Sequence, residues 1–367
     1  MNTATWVWSV TALLFGVNIG SFLNVVIWRI PRGGSLMDPQ YSYCPHCERR
    51  LTAIDLVPLF SFLFLGRKCR TCKKPISWRY FSVELLTGLL FMALAIRFQS
   101  NAADAVSLML LAALLVPMTF IDLEFFAIPE QLNLLAFAVV IGRDVWGIAQ
   151  HEPNHAPLFG WLPRSVVGAL AGILIFGGVR LVGWIWKRRE AMGLGDVLLA
   201  RAMGGMLVQL VPAGLPMLRL FPAWVLLSCL SGMVVGIPLL LLRGRDADRA
   251  DEEIEESKPP KRGKRSAQVE IGDGDPDEEP STLKEQLMDI GYVLVLFDLY
   301  EYVNRKWSSR GGAKNVEAVG TTIAEEDFDP QPTAIPFGPF LAAGFLVTVF
   351  VGEAITAWYV AVAFPKP

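Results

Sequence analysis

The sequence predicts an all-α polytopic membrane protein: about eight transmembrane helices, with a small cytoplasmic zinc-knuckle domain in the first loop. Three observations carry this. The chain is 53% hydrophobic with a mean hydropathy of +0.42, too apolar for an ordinary soluble domain. Apolar stretches of about 17 to 25 residues, enough to cross the hydrocarbon core as helices, recur along it. Two C-x-x-C pairs stand in one basic loop. The net charge of −2 decides little by itself.

The spans are read as Trp6 to Ile27, Tyr80 to Phe98, Ala103 to Ile121, Leu132 to Ala149, Ser165 to Trp186, Val197 to Val211, Phe221 to Leu242 and Phe337 to Phe364. The first lacks a basic n-region and runs into "SFLNVVIWRIPRGG" without a small-residue cleavage pattern, so it reads as a retained helix rather than a secretory signal. The chain therefore divides into a first helix (1–28), a cytoplasmic loop (29–79), helices two to seven (80–242), a charged insertion (243–336) and a last helix (337–367).

Basic residues set the orientation. Arg29, Arg32, Arg49, Arg50, Arg67, Lys68, Arg70, Lys73, Lys74 and Arg79 crowd the first long loop, whereas the loops near Gln99 to Ala102 and Gln150 to Pro163 are almost free of Lys and Arg. The positive-inside bias places the basic loop in the cytoplasm. Alternation then puts Asp122 to Glu130, Lys187 to Asp196 and Arg243 to Pro336 on the same side and both termini outside; "WKRRE" at Trp186 to Glu190 agrees.

Within that loop, "YCPHCERR" supplies Cys44 and Cys47 and "RKCRTCKK" supplies Cys69 and Cys72. Two knuckles about twenty residues apart fit a tetrahedral zinc site with four cysteine ligands. Four thiolates leave no position for water, so the metal is structural. A reducing cytoplasm disfavours the alternative of disulfides. His46 reads as a turn residue and Cys229 as packing within a span. Between the knuckles, Ile54 to Gly66 is apolar but short and Pro-interrupted, suited to the interface or to packing under the zinc loop.

An acid inside a membrane helix is costly, by about 2.5 to 3.5 kcal/mol on insertion scales, so it is retained for a task or neutralised by a partner. Asp196, in "AMGLGDVLLA", stands at the start of one span, and Asp122, in "FIDLEFFAIPEQLN", closes another at the same depth. With three histidines in the chain, one in the zinc loop and two (His151, His155) in an outer loop, no Ser-His-Asp or Cys-His set assembles on one face. Two nearby carboxylates share a proton, one acting as base on water and the other as acid to the leaving amide nitrogen. Gly193 and Gly195 permit close approach of backbone and an extended substrate to Asp196. The helix macrodipole favours an anion at Asp196 and disfavours one at Asp122, so Asp196 is the expected base and Asp122 the acid.

These strings, together with "GSFLNVVIWRIP" (Gly20 to Pro31), "ISWRYFSVELLTG" (Ile76 to Gly88) and "IPFGPFLAAG" (Ile335 to Gly344), resemble the type IV prepilin peptidases, the leader peptidase/N-methyltransferases, which are GxGD-type intramembrane aspartyl proteases. Order and spacing match across nearly the whole chain apart from the insertion after Leu242. The resemblance implies cleavage of the leader of type IV prepilins or type II secretion pseudopilins by the pair on Asp122 and Asp196, at the cytoplasmic face of the bacterial inner membrane. In many members it also implies methylation of the new N-terminus with S-adenosylmethionine. The implied partners are those prepilins or pseudopilins and the lipid bilayer, with no nucleic acid. The chain departs from the family in having Leu198 where many members have Lys two residues after the second aspartate, and Glu130 where many have Asp after "IP". Against this stand two other readings: an intramembrane aspartyl protease acting on other substrates, which leaves the knuckles unexplained, and a membrane-anchored zinc-binding or transport module, which leaves the aspartates without a task.

Other residues complete the reading. Glu130 and Glu84 are candidate substrate contacts, Glu84 equally a carboxylate orienting the first loop or favoured at a helix start. Asp144, beside Arg143 towards the outer end, is expected to be paired, and Glu353, about 24 Å along the last span at 1.5 Å per residue, to lie near the outer surface. Asn24 is expected to hydrogen-bond another helix or to take part in cofactor binding. No Rossmann glycine loop marks a methyl-donor site. The insertion is dense in charge, Pro and Gly and cannot bury enough surface to fold alone; its basic cluster, Lys261 to Arg265, suits a solvated linker or anionic lipid. Leu283 to Trp307 is apolar and aromatic, fitting either an interfacial helix or a strand pairing with the loops.

Overall fold

The structure, a computed structural model, describes residues 3–152, 155–156, 159–187, 192–212, 215–236, 238 and 336–363. The predicted insertion, with its Lys261 to Arg265 and Leu283 to Trp307 segments, lies outside the described residues apart from Pro336, as do Arg188 to Glu190 of the "WKRRE" string.

Nine α-helices make up the described fold: α1 (Thr3–Arg29), α2 (Phe60–Phe64), α3 (Trp78–Arg97), α4 (Ala102–Phe125), α5 (Glu130–Ala149), α6 (Arg164–Lys187), α7 (Leu194–Gln209), α8 (Phe221–Gly236) and α9 (Gly338–Ala363). A two-stranded antiparallel hairpin, β1 (His155–Ala156) and β2 (Phe159–Pro163), leads into α6. Six helices (α1, α3, α4, α5, α6 and α9) are long and apolar enough to cross a membrane, and the chain is a multi-pass membrane protein. Each of the eight predicted spans falls on one of the helices other than α2.

Helix α7 differs from the rest. Its 16 residues rise only about 24 Å, short of the ~30 Å hydrocarbon core. It has no need to match the lipid, because every residue from Asp196 to Val208 is buried. Small residues let α6 reach its backbone: a Cβ on Gly168 would lie 2.3 Å from the Gly204 carbonyl oxygen, and one on Gly172 would lie 2.4 Å from that of Ala200. With so little hydrophobic drive between helices in lipid, close backbone approach of this kind is what makes them associate. Helices α5 and α9 close around other sides of α7, while α1 packs chiefly on α3.

Polar contacts collect in two layers, one at each end of the bundle. At one end Thr5 on α1 donates to Gln99 after α3, Arg143 on α5 pairs with Asp104 and Glu152 at 2.8 and 2.9 Å, and Arg164 donates to the Val208 carbonyl at the end of α7. Asp144 is indeed paired, but through Ser165 and Gln209, while its neighbour Arg143 turns to Asp104. Glu353 sits in this layer, bonded to Arg219 at 3.1 Å. At the opposite end Asn24 donates to the Tyr80 carbonyl at 3.1 Å, Arg79 pairs with Glu124, and Asn133 donates to the Gly195 carbonyl at 3.3 Å. The up-and-down course of the helices therefore brings the end of α4 and the start of α7 to one level, beside the cysteine loop.

Candidate active site and metal centre

Asp122 stands in the last turn of α4. The helix stops because Phe126 adopts a left-handed conformation (φ 53°), its N–H closing onto the Asp122 carbonyl, and Pro129 then caps α5. Asp196 stands in the first turn of α7, capped by Gly193. Both side chains are buried, with Asp122 5% and Asp196 8% exposed.

Their carboxylates converge. Asp122 faces Gly338 at the start of α9, and Asp196 lies over Gly193, where a Cβ would stand 3.5 Å from its Oδ2. Each also has one buried oxygen, Oδ2 of Asp122 and Oδ1 of Asp196, with no hydrogen-bond partner. A Cβ built on Gly338 would lie 2.6 Å from the first orphan oxygen and 3.2 Å from the second. The two oxygens are thus no farther apart than those distances taken together, which is about what one water donating ~2.8 Å bonds to both can bridge. Buried acceptors left without a donor are costly, and a donor such as water or substrate is what the site lacks.

The remaining predicted site residues are divided between this point and the loop. Gly193 belongs to it as the cap of α7. Gly195 packs on Ile128, where a Cβ would sit 3.1 Å from the Ile128 Cβ, and its carbonyl is anchored by Asn133. Glu130, exposed at the start of α5, borders the same turn. Glu84 does not reach the dyad: it is buried against α1 and accepts the Leu59 N–H at 2.7 Å, fastening the first loop to α3. The macrodipole argument that set the two aspartates apart loses its asymmetry, because each carboxylate lies at the N-terminus of a helix, Asp196 in α7 and Asp122 beside Gly338 of α9. That contact was invisible to a reading of α4 alone.

The four predicted cysteines form one cluster, their sulfur atoms all within 4.8 Å of one another. Cys44 Sγ and Cys72 Sγ stand 3.9 Å apart, close to the ~3.8 Å edge of a tetrahedron with 2.3 Å zinc–sulfur bonds. The two knuckles share one backbone design. Cys44 N–H bonds to the Arg49 carbonyl and Cys69 N–H to the Lys74 carbonyl, and the residue after each second cysteine, Glu48 or Lys73, is left-handed (φ 54° and 58°). Backbone N–H groups of Cys72 and Thr71 bring the Cys69 thiol down to about 6. The Arg49 N–H also draws the Cys47 thiol down, but burial and the other sulfurs raise it to about 11. Four sulfurs at this spacing could hold a cation, and the donor set fits zinc.

Asp55, which sequence reading passed over, joins the knuckles. It is 2% exposed and takes both Arg49 from the first and Arg70 from the second, while Arg49 also donates to Thr71 at 2.8 Å. Burial pushes its carboxyl up, but the Thr52 N–H and hydroxyl and the two arginines hold it below the ordinary value. The stabilisation it provides is therefore present above the unfolded value of about 3.9 and fades as pH falls through the lower folded one. Asp55→Ala is expected to speed zinc loss to a chelator about 10-fold at pH 7, the order seen when a group supporting the ligands is removed. An unchanged rate would mean that the knuckles hold together without it.

The apolar stretch between the knuckles is buried at one point and exposed at others. Phe62 on α2 is buried against Trp78 and Phe81, whereas Phe60, Leu63 and Phe64 remain exposed. Under the module lies a cavity of about 720 Å³ lined by Asn24, Trp28, Tyr43, Tyr80, Glu84 and Arg29 among others. Asn24 serves helix packing through its amide N–H, yet its Oδ1 is buried with no partner.

The family model for the bacterial peptidase A24 N-terminal domain matches residues 14–98, spanning α1, the cysteine loop and α3, and that for the type IV leader peptidase family matches residues 108–237, spanning both aspartates. A prepilin leader peptidase/N-methyltransferase of Myxococcus xanthus is 31% identical over 350 residues, covering 94% of this chain and 90% of the relative. The chain belongs to the type IV leader peptidase family. Other leader peptidase relatives include the prepilin leader peptidase/N-methyltransferase of Aeromonas hydrophila, 36% identical over 65% of this chain and 83% of its own length. A type 4 prepilin-like proteins leader peptide-processing enzyme of Escherichia coli O78:H11 is 37% identical over 53% of this chain and 75% of its own length. No solved structure matches.

Proposed function

We propose that this leader peptidase is an aspartic endopeptidase of the bacterial inner membrane that removes the leader of type IV prepilins or type II secretion pseudopilins at the cytoplasmic face, with Asp122 and Asp196 as the catalytic dyad. The observation that carries the reading is the convergence of two partnerless, buried carboxylate oxygens on one point beside Gly338. Two carboxylates so placed share one proton. One deprotonates a water, whose oxygen attacks the scissile carbonyl; the other gives its proton to the amide nitrogen as the C–N bond breaks. Burial keeps competing water out and strengthens each of these interactions. The aspartates need no metal ligand of their own, and the four-cysteine centre, which we assign to structural zinc, holds the loop that overlies this end of the bundle.

The same chain is proposed to methylate the new N-terminal amine, as the names of its relatives imply, with S-adenosylmethionine as the donor of the methyl group. The cavity under the zinc module suits such a ligand: Asn24 Oδ1 offers an acceptor for a ligand N–H, and Trp28, Tyr43 and Tyr80 offer aromatic walls. The test is co-expression with a prepilin followed by mass analysis of its N-terminus. A shortened chain carrying one added methyl group is expected. An intact leader would overturn the peptidase reading, and a shortened but unmodified chain would overturn the methyltransferase reading alone.

A further inference from the structure

We propose that Gly338 is a positioning residue of the dyad: it brings the start of α9 against the Asp122 carboxylate, and the space left by its missing side chain is where the attacking water and the scissile carbonyl sit. The inference rests on the dyad reading above and adds to it a third chain segment, from the far side of the insertion. A Cβ at this position would meet Asp122 Oδ2 at 2.6 Å, Ile128 Cδ1 at 3.0 Å and Asp196 Oδ1 at 3.2 Å. The first distance is shorter than real Cβ atoms tolerate, and the atoms met are two carboxylate oxygens and one methyl group.

Gly338 is not needed for its backbone freedom, since it opens α9 without a left-handed φ. Alanine would be at least as good there for the helix itself. What glycine provides is room, and the room lies between the two partnerless oxygens of carboxylates that are each more than nine-tenths buried. Pro339, next in sequence, carries no N–H, so the Gly338 N–H is the front donor of the helix end that stands beside Asp122. Helix α9 packs on both α4 and α7, so the same contact that admits the substrate also sets the separation of the acids.

The test compares Gly338→Ala with the parent enzyme in membranes containing a prepilin substrate. The inference expects kcat to fall about 100-fold, the order of loss from a misplacement of ~1 Å, with KM within about threefold and zinc content unchanged. Gly142→Ala, where a Cβ meets nothing within 4 Å, serves as the neutral control. Ile128→Val removes the Cδ1 atom alone. If it restores Gly338→Ala to parental activity, simple packing is the cause and the inference fails. Should Gly338→Ala lower the unfolding temperature, the loss is expected to disappear in an Asp122→Ala background, where the nearest oxygen is gone; its persistence there would also overturn the inference. A fully active Gly338→Ala with inactive Asp122→Asn and Asp196→Asn would sink this proposal and leave the dyad standing, whereas active Asn variants would sink the dyad itself.

Discussion

Asp196→Asn and Asp122→Asn are each expected to lower prepilin cleavage by about 10³-fold or more, towards the upper part of the 10² to 10⁴ range for positioned acid–base groups. The substitution keeps the shape of the side chain and removes its capacity to exchange a proton. Neither variant is expected to lose stability. Asp122 and Asp196 are 5% and 8% exposed, and each keeps an oxygen without a partner, so a neutral amide relieves a buried charge. The site thus favours function over stability. Equal or raised unfolding temperatures with abolished cleavage would agree with this account. A variant retaining more than about a tenth of the parental rate, far above that range, would remove that residue from the chemistry.

Cys69→Ser is expected to abolish stoichiometric zinc binding and to open residues 42–76 to proteolysis. A structural zinc supplies an apparent binding free energy of about 10 to 16 kcal/mol, far more than the contacts of a loop of this size. The module is built on two isolated bridges, Tyr43 with Arg50 and Lys68 with Pro75, and on the bonds that Asp55 makes to both knuckles. Without the metal, four sulfurs within 4.8 Å of one another have nothing to hold them together. Cleavage should weaken much less than in the aspartate variants, because the loop touches the bundle through Glu84 and through Arg29, which donates to the Pro39 and Tyr41 carbonyls, rather than through the dyad. Metal analysis and limited proteolysis measure the first effect, and the prepilin assay measures the second. Full zinc occupancy in Cys69→Ser would contradict the assignment of all four cysteines as ligands.

The features legible in the sequence are those that repeat or bear charge where charge is costly. Apolar length located the spans, C-x-x-C spacing located the four-cysteine cluster, and two acids at one depth located the candidate site. What escaped depends on which elements meet in three dimensions. Gly338 reads as an ordinary helix start until α9 is seen to end on Asp122. Asp55 reads as a polar residue in an apolar stretch until Arg49 and Arg70 close on it from separate knuckles. Glu84 shows why a helix-start acid is ambiguous: its partner, the Leu59 N–H, lies in a loop whose path no periodicity encodes. Helix α7 was legible as apolar but not as enclosed, since its burial comes from the Gly168 and Gly172 contacts with α6.

The central claim is that residues 122 and 196 face each other across one small space, and proximity can be read without any assay of activity. Asp122→Cys/Asp196→Cys chains in native membranes, treated with a short bifunctional thiol reagent and digested, should yield one joined peptide containing both positions. Both cysteines reacting singly, with no joined peptide, would place the acids apart and contradict the account.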